Sequence, residues 1–310
     1  MTALICGSMA FDTVMVFPGR FRDHILPDRI HLLNVSFLVP SMRRNFGGCA
    51  GNIAYNLRLL GGSGLPMATV GHDFGPYDQW LRDRGVDVAQ VRVVDGEFTA
   101  QAFITTDLDD NQITAFHPGA MSHSHLNDVG QVAGCTLGLV APDGRDGMVK
   151  HAAEFADAGI PMLFDPGQGL PMFDGAELLD FVAKSTWIAV NDYEGQLLSE
   201  RTGLSHGEIA SKVRALIVTR GGEGSVIYAG GREHVIPAAA PAAVVDPTGC
   251  GDAYRAGLIF GLMNGLDWET TGRVASLMGA IKIANAGTQL HRFTMDEFRD
   301  RYRAAFGRTL

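Results

Sequence analysis

The stretch Val244-Val245-Asp246-Pro247-Thr248-Gly249-Cys250-Gly251-Asp252-Ala253-Tyr254-Arg255-Ala256-Gly257 runs from an apolar strand end, through a glycine-rich turn, into a helix-like segment. In that segment Ala253, Ala256, Gly257 and Phe260 share one face. Free amides at such a helix start, with the positive end of the dipole, make an anion site. Asp252 follows the last glycine directly, so its carboxylate stands beside the anion without a further bend. That position suits a base for alcohol phosphorylation, in which positioning and charge stabilisation dominate and the base's pKa need not be high. An Asp after a turn is more often a helix cap. The glycines on either side of Cys250, and a second carboxylate at Asp246, favour the anion site.

Outward from this segment, short apolar runs at 3–6, 66–70, 137–140, 162–164, 187–190 and 216–219 read as buried parallel strands. Helical periodicity lies between them, as at 52–60 before Gly61-Gly62 and at 78–84 before Gly85. Alternating strand and helix predicts an α/β fold with a mostly parallel sheet covered on both faces. Two regions break the rhythm. Residues 101–106 and 112–116 flank the polar turn 107–111 and read as a hairpin, and 13–45 is extended with little helical period. Together they form a small secondary sheet, the usual device for excluding water from an α/β site.

The chain has 310 residues, 46% of them hydrophobic, enough for one large domain with an elaboration. A formal net charge of -9 offers no electrostatic reason to bind nucleic acid or an anionic membrane. Neither a signal-peptide pattern nor an apolar run of bilayer length occurs, so a cytoplasmic address is expected. Cys6, Cys49, Cys135 and Cys250 are too dispersed for zinc spacing and read as reduced thiols. The four lysines, Lys150, Lys184, Lys212 and Lys282, never follow a glycine, which excludes a Walker loop. If the chain handles ATP, backbone amides, a metal and an arginine would have to hold it.

With these residues in view, the chain resembles the ribokinase-like (PfkB) carbohydrate kinase family along essentially its whole length. The resemblance implies one ribokinase-like domain, 1–310: a three-layer α/β core of 1–12, 46–90 and 122–310, and a discontinuous β-sheet lid of 13–45 and 91–121. Asp246 to Asp252 looks like the family's carboxy-terminal signature, with Asp252 as base and Gly249, Cys250 and Gly251 around the transferring phosphoryl group. Phe46-Gly47-Gly48-Cys49-Ala50-Gly51-Asn52 resembles the amino-terminal signature. It gives Gly48 a role in close backbone approach to the substrate, and Asn52 and Asp12 the substrate hydroxyls. Gly71-His72-Asp73-Phe74-Gly75 matches a structural turn.

Asn191-Asp192-Tyr193-Glu194 resembles the Asn-x-x-Glu motif tied to magnesium and phosphate, with Glu194 reaching Mg2+ through water. Thr219-Arg220-Gly221-Gly222-Glu223-Gly224 resembles the nucleotide turn, carried by Thr219, Gly221 and Gly224, and Asn285 falls beside adenine. As an isolated cluster, those glycines would more often make a hairpin turn. In many members a K+ loop uses the positions of Asp246 and Thr248. Arg255 is expected to be a solvated helical arginine.

The lid segments look most like adenosine and broad-specificity nucleoside kinases, and Phe103, Phe116 and Met121 offer a base an apolar surface. Packing of the lid onto the core explains any one of these aromatics equally well. The expected activity is transfer from ATP, with Mg2+, to a nucleoside 5'-hydroxyl, by a monomer or homodimer; a ribokinase- or fructokinase-type sugar kinase is the alternative. A dehydrogenase fails on order, because Gly7-Ser8-Met9-Ala10 after the first strand lacks the dinucleotide glycines. A non-catalytic nucleoside-binding protein on this fold is opposed by the retained Asp252, Asn191 and Glu194.

Overall fold

The structure is a computed structural model and describes residues 1–25, 35–109 and 111–310. The chain begins with β1 (Thr2–Cys6), β2 (Ala10–Val16), β3 (Ser41–Gly47), α1 (Cys49–Leu59), β4 (Gly64–Val70), α2 (Gly75–Arg82) and β5 (Gln90–Val93). It continues with β6 (Ala100–Thr106), β7 (Gln112–His117), β8 (Cys135–Val140), α3 (Arg145–Asp157), β9 (Met162–Phe164), α4 (Gly175–Lys184) and β10 (Trp187–Asn191). Then follow α5 (Asp192–Thr202), α6 (His206–Lys212), β11 (Ala215–Thr219), β12 (Ser225–Ala229), β13 (Arg232–Ile236), α7 (Cys250–Met263), α8 (Trp268–Ile283) and α9 (Met295–Phe306).

Among the described residues, nine strands form the large sheet in the order β13-β12-β11-β10-β9-β8-β1-β4-β5. It is parallel from β11 to β5, with β12 and β13 antiparallel at one edge. The continuous apolar runs follow from helices on both faces. Ala3 and Ile5 pack with Ile53, Leu57 and Ile259 on one side, whereas Leu4 and Cys6 pack with Phe155, Phe164 and Phe181 on the other. The helix that starts at the glycine-rich turn, α7, lies tight on α8. A Cβ at Gly257 would sit 2.4 Å from Ala275 Cα, so only glycine permits this approach.

The ribokinase-like architecture expected from the sequence is present: this large sheet, its helices, and a second sheet in the order β3-β2-β6-β7. Several boundaries differ from expectation. Helix α1 starts at Cys49, not Asn52, and α2 starts at Gly75, with Pro76 in its first turn, where the missing N–H costs nothing. Residues 91–93, assigned to the lid, belong to β5 and pair in parallel with β4, because β4-α2-β5 is a crossover unit that returns to its own sheet. The second sheet starts at Ala10 and β3 runs to Gly47, beyond the expected limits of 13 and 45. Residues 26–34 of the expected lid, and Asp110 in its turn, lie outside the described residues. The Gly71–Gly75 turn anchors this sheet: Asp73 accepts from the Thr99 amide (2.8 Å) and from Gln101 Nε2 (3.2 Å), at the root of β6.

Register decides which lid residues face the core cleft. Asp12 pairs with Asn45 and Ala102, and Ala102 pairs with Phe116, so these side chains share one face. Thr13 pairs with Arg44 and Phe103 on the other. Phe103, expected beside the substrate with Phe116, therefore projects away from Asp12. A strand's two-residue period separates Phe103 from Phe116, which sequence inspection had grouped by type alone.

Candidate active site

The turn before α7 is closed by a carboxylate. Asp246 Oδ1 accepts from the Thr248 amide and Oδ2 from the Gly287 amide, each at 2.9 Å, which joins the 246–249 loop to the segment after α8. Gly249 then caps α7 with φ 79°, a left-handed conformation natural to glycine, and a Cβ there would lie 3.3 Å from Thr288 Cγ2. Of the three positions expected to hold the anion, the Cys250 amide already donates to Pro247 O (3.2 Å). Gly251 is different. Its amide lies in the first helical turn, where a helix supplies no acceptor, and a Cβ there would meet no atom within 4 Å. The cradle opens at Gly251 and Asp252.

Asp252 is held from across the cleft. Asn52 Nδ2 donates to its Oδ2 at 2.8 Å, and Gln289 Nε2 donates to Asn52 Oδ1 at 2.9 Å, which fixes the amide's orientation. Trp80 Nε1 donates to Gln289 Oε1 (3.1 Å), and the Tyr77 hydroxyl, which receives Gln289 Nε2, donates to Gly47 O (2.9 Å). Asn52 is 3% exposed, so the amide expected to bind substrate hydroxyls is first a partner of Asp252. Among the described residues its Nδ2 has no second acceptor. Burial pushes the Asp252 carboxyl up to about 6, with Asp165 adding to the rise and Asn52 and Arg255 opposing it.

On the lid side, Asp12 is likewise raised to about 6, first by burial and then by the charge of Asp246. Gly47 makes room for it, since a Cβ there would fall 2.3 Å from Asp12 Oδ2. Gly48, at φ 84°, abuts the chain itself: a Cβ would sit 2.5 Å from Ser8 O and 2.6 Å from Met9 Cα. The close approach assigned to a substrate is made here by the β1–β2 connection.

Arg255, expected in solvent, is buried. Its guanidinium grips Asp165 with two bonds (3.0 and 2.9 Å), reaches Ala189 O at 3.4 Å and lies 4.0 Å from Glu194. Its position one turn after Asp252 aims it at Asp165 and Glu194, just past the carboxyl ends of β9 and β10, carboxylates that no local pattern announces. Glu194 closes a capping box with Asn191: it accepts from the Asn191 amide (2.8 Å) and Nδ2 (2.9 Å), while its own amide donates to Asn191 Oδ1 (2.7 Å). Burial and Asp165 raise its pKa.

A family model for the pfkB family carbohydrate kinases matches residues 10–293. The chain belongs to this family. It is a phosphotransferase. The nucleoside kinase of Methanothermobacter thermautotrophicus is 32% identical over 312 residues, 98% of this chain and 96% of that one. A Burkholderia thailandensis nucleoside kinase solved with inosine superposes with a TM-score of 0.90 at 53% identity, covering 99% of each chain. The same enzyme solved with ADP-inosine gives 0.88 at 55% identity, covering 99% of this chain and 97% of that one.

Against this pfkB frame the remaining expected residues separate. Thr219 pairs with Asn191 across β11 and β10, which brings the 219–224 turn and the Asn191–Glu194 cap together at the carboxyl end of the sheet, where α/β ligands bind. The turn is also a hairpin between β11 and β12, the form that an isolated glycine cluster suggests. Gly221 (φ 53°) has open space around it. Gly224 instead packs, since a Cβ would fall 2.1 Å from Ile236 O. Asn285 Nδ2 bonds Ile281 O (2.8 Å) and finishes α8. Gln289, Trp80, Tyr77 and Asp165 escaped sequence reasoning, because nothing in their local context marks contacts formed across the fold.

Proposed function

We propose that this kinase transfers the γ-phosphoryl group of ATP to the 5'-hydroxyl of a nucleoside, adenosine or a broader set. The observation that carries the reading is Asp252, bonded to Asn52 at 2.8 Å beside the open amide of Gly251. The inosine and ADP-inosine complexes of a relative more than half identical support the nucleoside.

Asp12 and the free N–H of Asn52 hold the ribose hydroxyls, and Asp252 accepts the proton of the attacking alcohol. The first-turn amides of α7 offset charge that develops on the transferring group. Phe116, on Asp12's face, lies against the base. Asp165, Glu194 and Asp252 stand against one cation, Arg255, and this surplus negative charge suits Mg2+, which neutralises phosphate oxygens when bound. Both Glu194 oxygens already accept from Asn191, which favours contact through water.

ADP release, screened over nucleosides and simple sugars with magnesium, tests the reading. Release with nucleosides supports it. Release with sugars alone removes the nucleoside, and release with neither removes phosphotransfer to these alcohols.

A further inference from the structure

Lys282 is 0% exposed, at the last turn of α8. Its ammonium donates to Asp246 O at 2.9 Å and Asn285 O at 3.1 Å, main-chain oxygens on the two loops that meet beneath the cradle. Next to it the Val245 and Asp246 amides both donate to Ile283 O (2.8 and 3.1 Å), so the loop leading to Gly249 is stitched to the end of α8. Asp246 finishes the closure, with one carboxylate oxygen on the Thr248 amide and the other on the Gly287 amide.

This is the place where the family resemblance expected K+, held by Asp246 and Thr248. The residues do not fit that ion. The two carbonyls a cation would draw together already receive a fixed positive charge, and a second monovalent cation would sit against an ammonium in a partly dry site, where like charges repel strongly. Burying a lysine is unfavourable unless its charge is compensated. Burial indeed lowers the Lys282 pKa, and the charge of Asp246 acts against the loss.

We propose that Lys282 is a built-in monovalent cation. It clamps the 246 and 285 carbonyls and places positive charge under the amino end of α7, so that Gly251 and Asp252 are held ready without K+. Lys282 touches neither substrate nor phosphate in this account and acts by positioning the loop that does.

The inference rests on the phosphotransfer reading for its kinetic arm and stands apart from it in a melting arm. With sodium as the only alkali cation, wild-type turnover and melting temperature are expected to match those in potassium or ammonium. Activation of about 5-fold or more by potassium overturns the proposal. Lys282→Met, neutral and of similar length, is expected to lose roughly 10²-fold in kcat in sodium and to melt lower, with both recovered in part by potassium or ammonium. A folded Lys282→Met that keeps full activity in sodium, or that neither salt rescues in rate or melting, overturns it. If that variant fails to fold, the wild-type cation series decides alone. Absence of ADP release from wild type with every nucleoside counts against the kinase reading, and the melting series still reads the clamp.

Discussion

The two sides of the cleft are built on opposite terms. Around Asp252 the side chains brace one another: Asn52, Gln289, Tyr77 and Trp80 form a chain of hydrogen bonds, and Arg255 is buried against Asp165. Across from it, the lid carries large apolar side chains with little cover. Phe116 is 53% exposed, and all of β7 lies at the surface. The Asp252 side is therefore preorganised, whereas the wall formed by the second sheet leaves apolar area uncovered. The proposed function puts chemistry on the braced side and recognition on the exposed one.

Asp252→Asn breaks the rigid side hardest. It is expected to lower kcat by roughly 10²- to 10⁴-fold while nucleotide affinity changes little, as read by steady-state kinetics beside nucleotide titration. Near-normal turnover would remove the base from the mechanism. Next in size is Arg255→Met, which leaves Asp165 buried and unpaired and is expected to cost about 3–5 kcal/mol of stability in chemical denaturation. Because Arg255 favours the ionised form of Asp252, the same variant should move the acid limb of the pH–rate profile upward. An unmoved limb would separate Arg255 from the base.

Under the proposed function Asp252 and Asp12 both act ionised, and both are raised to about 6. Since protonation disables them, kcat/KM should fall as pH drops through about 6, rather than near the ordinary Asp value, and with a slope steeper than one proton. Asp12→Asn should leave a one-proton limb.

The lid gives the smallest effects. Phe116→Ala is expected to raise the nucleoside KM by roughly 2- to 10-fold with kcat nearly unchanged, the size of one aromatic contact. Phe103→Ala, on the far face, should leave KM alone. Equal effects from both would contradict the register argument.

Much of this was legible beforehand. The apolar runs located six strands of the large sheet, and the glycine turn with Asp252 marked the start of α7. Asp12 and Phe116 proved to share a lid face. Phe103 did not, because residue type says nothing about which way a strand is turned. Gly48 and Asn52 were placed at the cleft, yet their first contacts are with the chain's own backbone and with Asp252.

The amino-acid order by itself determined the alternation of buried strands and helices and the anion-binding turn with its carboxylate, because these depend on periodicity and on neighbours a few residues apart. Only the tertiary structure decided what the carboxylate is tied to. Asn52 meets Asp252 across 200 positions and Gln289 meets Asn52 across 237, while Arg255 reaches Asp165 across 90. Lys282 finds Asp246 across 36. The physical reason is that a buried charge or amide takes whichever partner the packed layers bring within about 3 Å, and no local pattern encodes which one that will be.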